Sequence, residues 1–354
     1  MTSAEKIARA LREAGADGIL ITSPINRRYA TGFPSTDGLC LITREENRFF
    51  TDSRYIEAAE QKIKDMTVLL TDREHSYYER INDAVRELGI NTLLFEDCRV
   101  TVSQLERFKE NISCGLAPAG NLIEDIRAVK TREELAVMIE AQKIAEKSFT
   151  EILPLISTEI TERELAAELI YRFLKNGGED TSFDPIVVSG PRSSMPHGVP
   201  TDNKIDPGFL TMDFGVVYKG YCSDTTRTVS VGKPTEEMRR VYDVVLDAQK
   251  AGIEAAMAEV TGRDIDGAAR KVIEKAGYGP YFGHSFGHGL GMEIHEAPNA
   301  APSNDKPIPE GAVISAEPGI YLPGKFGVRI EDVLYVEKGG SVNITSLPKE
   351  LIVI

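Results

Sequence analysis

The segments FLTMDFG (residues 209–215) and YCSDTTRTVSV (residues 221–231) decide the fold of this chain. Both are rich in apolar and β-branched residues that favour strands, and the Lys-Gly pair at 219–220 predicts a tight turn between them. The sequence therefore predicts an antiparallel hairpin with strands over residues 209–218 and 221–231.

Asp213 interrupts a strand that is otherwise apolar enough to be buried, and a buried carboxylate is costly unless it is paired or binds a metal. With a two-residue turn, position 213 faces position 226, so Asp224 lies one diagonal step away on the same face. Two carboxylates this close raise the pKa of one of them unless a cation neutralises them. The pair is therefore either an acid dyad or part of a metal site.

A second predicted strand pair, residues 312–321 and 328–336, decides between these because it adds Glu317 and Glu331. Four convergent carboxylates carry about four negative charges, which match two divalent cations. An acid dyad does not need four carboxylates, so we expect a metal site.

The same series of elements, two helices followed by a strand pair, occurs twice after residue 130. Helices are predicted over residues 131–153, 161–177, 236–260 and 264–276, the first two opened by capping-box patterns. Landmarks recur at nearly constant offsets, which are 104 for Thr131 to Thr235, 103 for Thr161 to Asp264 and 104 for Asp213 to Glu317. We expect two pseudo-equivalent halves.

Histidines cluster in the same part of the chain, where four of the five lie: His197, His284, His288 and His295. The glycines in HSFGHGLGMEIH (residues 284–295) disfavour a regular helix and permit close backbone approach. Because a neutral imidazole is a good metal ligand, we expect these histidines at the carboxylate site.

The first third of the chain alternates helix and strand patterns and predicts an α/β domain that ends near Arg127. Its predicted helices are 3–14, 53–64, 77–88 and 103–111, and its predicted strands are 18–22, 39–43, 48–51 and 91–96. A chain of 354 residues commonly forms about two domains, and we place them at residues 1–127 and 128–354.

Composition argues against several classes of partner. The net charge of −14 comes without a basic stripe, so a nucleic-acid partner is not expected. No run approaches about 18 uncharged apolar residues, so no membrane span is predicted. The four cysteines lack CxxC spacing, and residues 1–14 lack the apolar core of a secretory signal, so we expect a cytoplasmic protein.

These motifs together resemble the pita-bread metallopeptidases, in the branch of aminopeptidase P and prolidase. The resemblance rests on TMDFG, SDTTRT, GHGLG, EPGIY and VRIED, which contain Asp213, Asp224, His288, Glu317 and Glu331 in that order. It covers the whole chain, since this branch also places a smaller α/β domain before the catalytic one. It implies an α+β pita-bread catalytic domain with an internal pseudo-twofold repeat.

The resemblance also implies a role for each metal-binding residue. Asp213 binds one metal, His288 and Glu317 bind the other, and Asp224 and Glu331 bridge both.

Four further residues match family positions around the metals. His197, His284 and His295 match histidines that steady the scissile carbonyl and the tetrahedral intermediate. Arg329 resembles an arginine that orients an acidic ligand.

The implied reaction is hydrolysis of the bond between an amino-terminal residue and a following proline, by a hydroxide that bridges two metals about 3.5 to 4 Å apart. Glu317 is the expected proton shuttle to the proline nitrogen. An oxygen-rich site with one imidazole favours Mn²⁺, with Co²⁺, Zn²⁺ and Fe²⁺ as alternatives. The implied substrate is a proline-containing peptide, whose preferred length the motifs do not encode.

Four alternatives stay open from the sequence. In the first two, the protein is a prolidase restricted to Xaa-Pro dipeptides or an enzyme that resembles methionine aminopeptidase. Methionine aminopeptidase usually lacks so large an amino-terminal domain. A creatinase-like enzyme shares the fold and works without metals, but that branch does not keep this ligand set. The fourth is a metal-free binding or chaperone module on the same scaffold.

Members of this branch commonly dimerise through the smaller domain, so a homodimer is expected. Three interpretations of Tyr55 and residues 25–33 stay open: these residues belong to a dimer contact, they line the substrate site, or they pack within their own domain.

Overall fold

The computed structural model describes all 354 residues, which separate into two compact units, residues 1–126 and residues 127–354. No helix in the chain is both long enough and apolar enough to span a membrane.

The first unit is a mixed α/β domain, as predicted. Its helices are α1 (Ser3–Glu13), α2 (Pro24–Thr31), α3 (Ile56–Lys62), α4 (Tyr77–Leu88) and α5 (Val102–Asn111), and its strands are β1 (Gly18–Ile21), β2 (Leu39–Thr43), β3 (Asn47–Thr51), β4 (Thr67–Leu70), β5 (Thr92–Phe95) and β6 (Gly115–Pro118). One sheet has the order β4-β3-β2-β1-β5-β6. β2 is antiparallel to β1 and β3, and the other pairs are parallel.

Three elements of this unit are absent from the sequence-based prediction. α2 is short, although Ser23 caps it and Pro24 occupies its first turn, which is a recognisable start signal. β4 and β6 are four-residue edge strands without buried residues, so their apolar pattern is weak. The predicted helix over 53–64 begins only at Ile56 because the preceding residues form a turn on Asp52 O.

The second unit contains four long helices and thirteen short strands. After α6 (Leu122–Ala128), its helices are α7 (Arg132–Ile152), α8 (Glu162–Lys175), α9 (Glu236–Ala255) and α10 (Gly262–Lys275), and its strands are β7 (Asp180–Thr181), β8 (Ile186–Ser189), β9 (Gly208–Phe214), β10 (Val216–Tyr218), β11 (Tyr221–Cys222), β12 (Thr225–Val231), β13 (Gly287–Gly289), β14 (Glu296–Ala300), β15 (Val313–Ala316), β16 (Gly319–Leu322), β17 (Phe326–Arg329), β18 (Asp332–Glu337) and β19 (Gly340–Asn343). The sheets have the orders β11-β10-β7, β12-β9-β8, β14-β13-β15-β18-β19 and β16-β17.

The first predicted hairpin is present in the predicted register. Lys219 and Gly220 form its turn with φ of 48° and 83°, and Thr226 faces Asp213 across the β9–β12 ladder. Each predicted strand is divided in two, however, at Gly215 and at residues 223–224. A Cβ at position 215 would lie 2.0 Å from Ser223 O, so only glycine fits where these two segments of the hairpin cross so closely.

The second hairpin is divided at the corresponding place. β15 pairs with β18 and β16 pairs with β17, and the breaks fall at residues 317–318 and 330–331. In both halves the ladder is therefore interrupted beside acidic residues, which leaves these residues free to converge.

The internal repeat is present, with one wrong correspondence. Thr131 and Thr235 cap α7 and α9 at the predicted offset of 104. The counterpart of Thr161 is Thr261, not Asp264, because α10 begins at Gly262 and Thr261 is its N-cap.

Helix α9 is also shorter than predicted, and ends at Ala255 instead of residue 260. The next residues form a turn, in which the Ala258 N–H donates to Glu337 O and the Glu259 N–H donates to Ile308 O. Tertiary pairing therefore overrides the helical pattern there.

Two apolar cores follow the repeat. In the first half α7 and α8 cover the hairpin, with Phe149 stacked on Phe214 at a centroid distance of 5.2 Å. In the second half α9 and α10 cover the other hairpin, with Tyr242 and Phe286 among the buried residues. The hairpins are thus held from outside by helices, and the site lies between the hairpins.

Candidate metal centre

A cavity of about 670 Å³ in the second unit contains every residue that the sequence assigns to the site. The nine assigned residues among those that line it are His197, Asp213, Asp224, His284, His288, His295, Glu317, Arg329 and Glu331. The remaining wall is mainly apolar and includes Phe183, Ile186, Pro196, Val199 and Ile294.

The tightest cluster in the cavity is Asp224, His288 and Glu331, whose ligand atoms all lie within 4.8 Å of one another. His288 Nε2 lies 3.5 Å from Asp224 Oδ2 and 3.3 Å from Glu317 Oε1. One imidazole and three carboxylates therefore face a common point.

Backbone geometry aims His288 at this point. A Cβ at Gly287 would lie 2.0 Å from Ser315 O, so glycine is required for the close approach of β13 to β15. The His288 N–H donates to Ser315 Oγ at 3.0 Å, and the His288 ring places Nδ1 3.1 Å from Gly289 O. A carbonyl oxygen only accepts, so Nδ1 carries the proton and the lone pair of Nε2 is directed at the carboxylates.

Asp213 joins the cluster through the buried guanidinium of Arg329, which donates to Asp213 Oδ2. Arg329 also donates to Thr226 Oγ1 at 3.0 Å and to Tyr321 Oη at 2.8 Å. Thr226 in turn donates to Glu331 Oε2 at 2.8 Å. Arg329 therefore orients Asp213 directly and Glu331 through a hydroxyl group.

Burial and mutual repulsion disturb the ionisation of the cluster. The pKa of Asp224 lies well above its usual range because of burial, with Glu331 and Asp213 adding repulsion. Burial and the charge of Glu317 raise the pKa of Glu331 in the same direction, and burial raises the pKa of Glu317 to about 7. Burial lowers the pKa of His288, which keeps its imidazole neutral. A bound cation would relieve this repulsion.

The donor set fits divalent cations. Asp213 Oδ1 and Glu331 Oε1 are buried and have no hydrogen-bond partner, although buried carboxylate oxygens are normally paired. The four clustered carboxylates, with Asp184 as a fifth on the wall, outnumber the single positive charge of Arg329, so the cavity carries excess negative charge. Oxygen ligands with one imidazole suit Mn²⁺ and similar ions better than a thiolate-seeking metal.

The three other histidines differ in whether their ring nitrogens are already hydrogen-bonded. His284 is tied at both ring nitrogens, with Nδ1 2.8 Å from Ser285 O and Nε2 2.8 Å from Tyr321 Oη, and burial lowers its pKa to about 4. His295 is exposed and packs edge-on against His288, with ring centroids 4.2 Å apart. His197 is exposed and lines the same cavity. His197 and His295 therefore offer accessible ring nitrogens, and His284 faces the cavity without a free one.

The sequence interpretation missed three hydroxyl groups that hold the site together. Tyr321 connects His284 to Arg329, Thr226 connects Arg329 to Glu331, and Ser315 donates to Glu317 Oε1 at 3.1 Å. Thr226 and Ser315 each lie two residues from an acidic position, Asp224 and Glu317 respectively, and residues two apart share a face of a strand. That alternation was the signal that could have identified them.

A buried cluster of carboxylates and an imidazole in an open cavity defines a metal-binding site built to act on a ligand in that cavity. Comparison with known proteins agrees, since residues 136–338 match metallopeptidase family M24 and residues 4–129 match the creatinase/prolidase N-terminal domain. The chain belongs to metallopeptidase family M24, in its Xaa-Pro peptidase branch.

Several similar proteins match this chain over almost its full length. A Xaa-Pro dipeptidase from Bacillus anthracis is 42% identical with a TM-score of 0.95, covering 99% of both chains. An X-Pro aminopeptidase from Thermotoga maritima is 36% identical with a TM-score of 0.93, covering 98% of this chain and 100% of that chain. A Xaa-Pro dipeptidase from Pyrococcus furiosus is 36% identical over 98% of this chain and 99% of its own length. The fold is the pita-bread fold preceded by a creatinase-like domain, and the protein is a metallopeptidase.

Proposed function

We propose that this metallopeptidase is a Xaa-Pro aminopeptidase, which removes an amino-terminal residue that precedes proline from peptides of more than two residues. The observation that carries the proposal is the charge of the cavity wall. Arg329 is the only lysine or arginine among the lining residues, and its guanidinium is already bonded to Asp213, Thr226 and Tyr321. A strict dipeptidase needs a cation to recognise the carboxylate that ends its substrate, and this wall offers no free one.

In the proposed site Asp213, Asp224, His288, Glu317 and Glu331 hold two divalent ions, with Mn²⁺ the expected metal. When bound, such ions supply activated water and polarise the carbonyl group of the scissile bond. The chain itself positions the substrate. The exposed rings of His197 and His295 donate to the carbonyl oxygen as negative charge develops on it. Glu317, at the edge of the cluster, transfers a proton to the nitrogen of the leaving proline.

The apolar part of the cavity wall accounts for the recognition of proline. Phe183, Ile186 and Pro196 offer a surface for the pyrrolidine ring, and the cavity of about 670 Å³ lies in the range of about 300 to 1,000 Å³ typical of ligand sites. We therefore expect room for residues beyond the proline.

A Xaa-Pro dipeptidase is the second candidate function, favoured by the names of the Bacillus anthracis and Pyrococcus furiosus relatives. The two candidates make opposite predictions for a substrate without a terminal charge. A cytoplasmic location and a homodimer stay predictions from the sequence.

The test compares three substrates on the Mn²⁺-loaded protein: Xaa-Pro, its amide Xaa-Pro-NH₂, and the tripeptide Xaa-Pro-Xaa. An aminopeptidase cleaves the amide and the tripeptide at least as efficiently as the dipeptide, as measured by kcat/KM. A dipeptidase loses activity on both by about 100-fold or more, the size of losing a charge-assisted contact. Asp224→Ala, which removes one proposed bridging ligand, is the negative control and should lose both bound metal and turnover.

A further inference from the structure

Residues 189–201 form a loop that carries His197 along one wall of the cavity. The His197 side chain is exposed, and its ring makes no hydrogen bond within the chain. The position of the ring therefore depends on the backbone of the loop.

Both ends of this loop meet at Glu162, the first residue of α8, whose side chain is fully buried. Glu162 Oε1 accepts a hydrogen bond from the Ser189 N–H at 2.9 Å. Glu162 Oε2 accepts from the Thr201 N–H at 3.1 Å and from Thr201 Oγ1 at 2.8 Å. Arg192, inside the loop, donates its Nε–H to Oε2 at 3.2 Å. A single carboxylate thus holds the start, the interior and the end of the loop.

Two guanidinium groups hold the residues beside His197, and of these Arg192 also bonds to Glu162 and so connects His197 to it. Arg192 donates to Val199 O at 2.6 Å, and Arg329 donates to Pro196 O at 3.2 Å. Hydrogen bonds from a charged guanidinium are stronger than those between neutral groups, so the backbone on both sides of His197 is restrained.

We propose that Glu162 is a positioning residue, which fixes the loop so that the His197 ring is presented to the substrate carbonyl. This inference rests on the proposed function, in which His197 contacts that carbonyl. Glu162 does not line the cavity, so it acts through the loop and not on the substrate. A donor whose position is fixed before the substrate arrives gains more in the transition state than a mobile one.

The second half of the unit provides a matched control. Asp266 in α10 is buried, accepts from the Phe286 N–H at 2.8 Å and pairs with Arg270 at 2.7 Å. Arg270 donates to His284 O at 2.8 Å. Asp266 therefore restrains the segment around His284 and makes no contact with the His197 loop.

The test is a double-mutant cycle on the metal-loaded protein with a Xaa-Pro-Xaa peptide. Glu162→Gln is expected to lower kcat/KM about tenfold in the native background and less than about twofold in the His197→Ala background, because residues that act as a unit are not additive. Asp266→Asn is expected to lower kcat/KM by the same factor in both backgrounds. Glu159→Gln, which removes only the exposed Lys204 partner, stays within about twofold of the native protein. Equal losses for Glu162→Gln in both backgrounds contradict the proposal.

A second measurement needs no substrate. Amide hydrogen exchange over residues 189–201 is expected to be at least about fivefold faster in Glu162→Gln than in the native protein, with residues 284–288 unchanged and metal content equal. Asp266→Asn should give the reverse pattern. Unchanged exchange over residues 189–201 in Glu162→Gln overturns the proposal. If the native protein cleaves no Xaa-Pro peptide, the proposed function fails, and the exchange result still decides whether Glu162 fixes the loop.

Thr201→Val serves if Glu162→Gln does not fold. It removes one donor to Glu162 and keeps the carboxylate and its ion pair with Arg192. The expected loss of kcat/KM is about threefold in the native background and none in the His197→Ala background. Equal losses in the two backgrounds contradict the proposal here too.

Discussion

Glu331 and Asp332 are neighbours in the sequence and are both buried, yet they belong to clusters of opposite character. The carboxylate of Asp332 is neutralised by Arg227 at 2.8 Å and by Lys349, and Asn343 donates to it as well. This cluster has enough cations and donors to be complete without any further group.

Glu331 instead lines the cavity, among three more carboxylates. The one guanidinium there, Arg329, faces Asp213, and Glu331 Oε1 has no hydrogen-bond partner. The difference teaches that burial of an acidic residue is not by itself a sign of metal binding. The sign is negative charge that the surrounding side chains leave unbalanced.

The largest expected effect follows from exchanging Glu331 for glutamine. We expect Glu331→Gln to lower kcat at least about a thousandfold, as removal of one member of a catalytic unit does, because the change removes a ligand that we propose bridges the two metals. The same change should stabilise the metal-free protein against urea, since it removes one repelling charge. Activity within tenfold of the native protein would show that the unbalanced cluster does not bind the catalytic metals.

Asp332→Asn is the paired experiment and should affect stability instead of catalysis. Breaking one partner of a buried ion pair costs about 3 kcal/mol of unfolding free energy. The folded fraction should keep its metal content and its kcat, as measured by elemental analysis and peptide hydrolysis on the same sample. Loss of metal in this variant would mean that the two clusters are not separate.

The third prediction concerns the metal-free protein. Addition of Mn²⁺ at about 100 times its dissociation constant should raise the unfolding free energy by about 2.7 kcal/mol per site in urea titrations. Asp332→Asn should keep this gain, and Glu331→Gln should lose most of it. The reverse order of the two variants contradicts the comparison.

The smallest expected effect is that of Arg329→Lys, which keeps a positive charge but cannot bond to Asp213, Thr226 and Tyr321 at once. We expect Mn²⁺ affinity to fall about tenfold, the usual size for loss of a residue that orients a ligand. Excess Mn²⁺ should restore kcat. A low kcat at saturating metal would instead indicate that Arg329 contacts the substrate.

The sequence predicted the convergence of the site because strand alternation and a two-residue turn fix which residues face each other. The pairing of Asp213 with Thr226 follows from those rules alone. The breaks in both hairpins did not follow, since they depend on close crossings such as that of Gly215 over Ser223. The role of Glu162 was also hidden, because its partners lie 27 to 39 residues away along the chain.

The Thr161 correspondence shows the same limit on a smaller scale. Both Thr261 and Asp264 are plausible N-caps by residue type, and the offset of 103 favoured Asp264. Thr261 is the cap because its hydroxyl exchanges hydrogen bonds with Asp264 within the first turn, and a tertiary contact from the Gly262 N–H to Lys306 O adds to this.

Anomalous diffraction at the manganese edge, from crystals of the Mn²⁺-loaded protein, tests the central claim most directly. The account predicts two peaks in the cavity, each within about 2 to 2.5 Å of carboxylate oxygens drawn from Asp213, Asp224, Glu317 and Glu331, with His288 Nε2 beside one of them. A single peak, or none among these five residues, would contradict it.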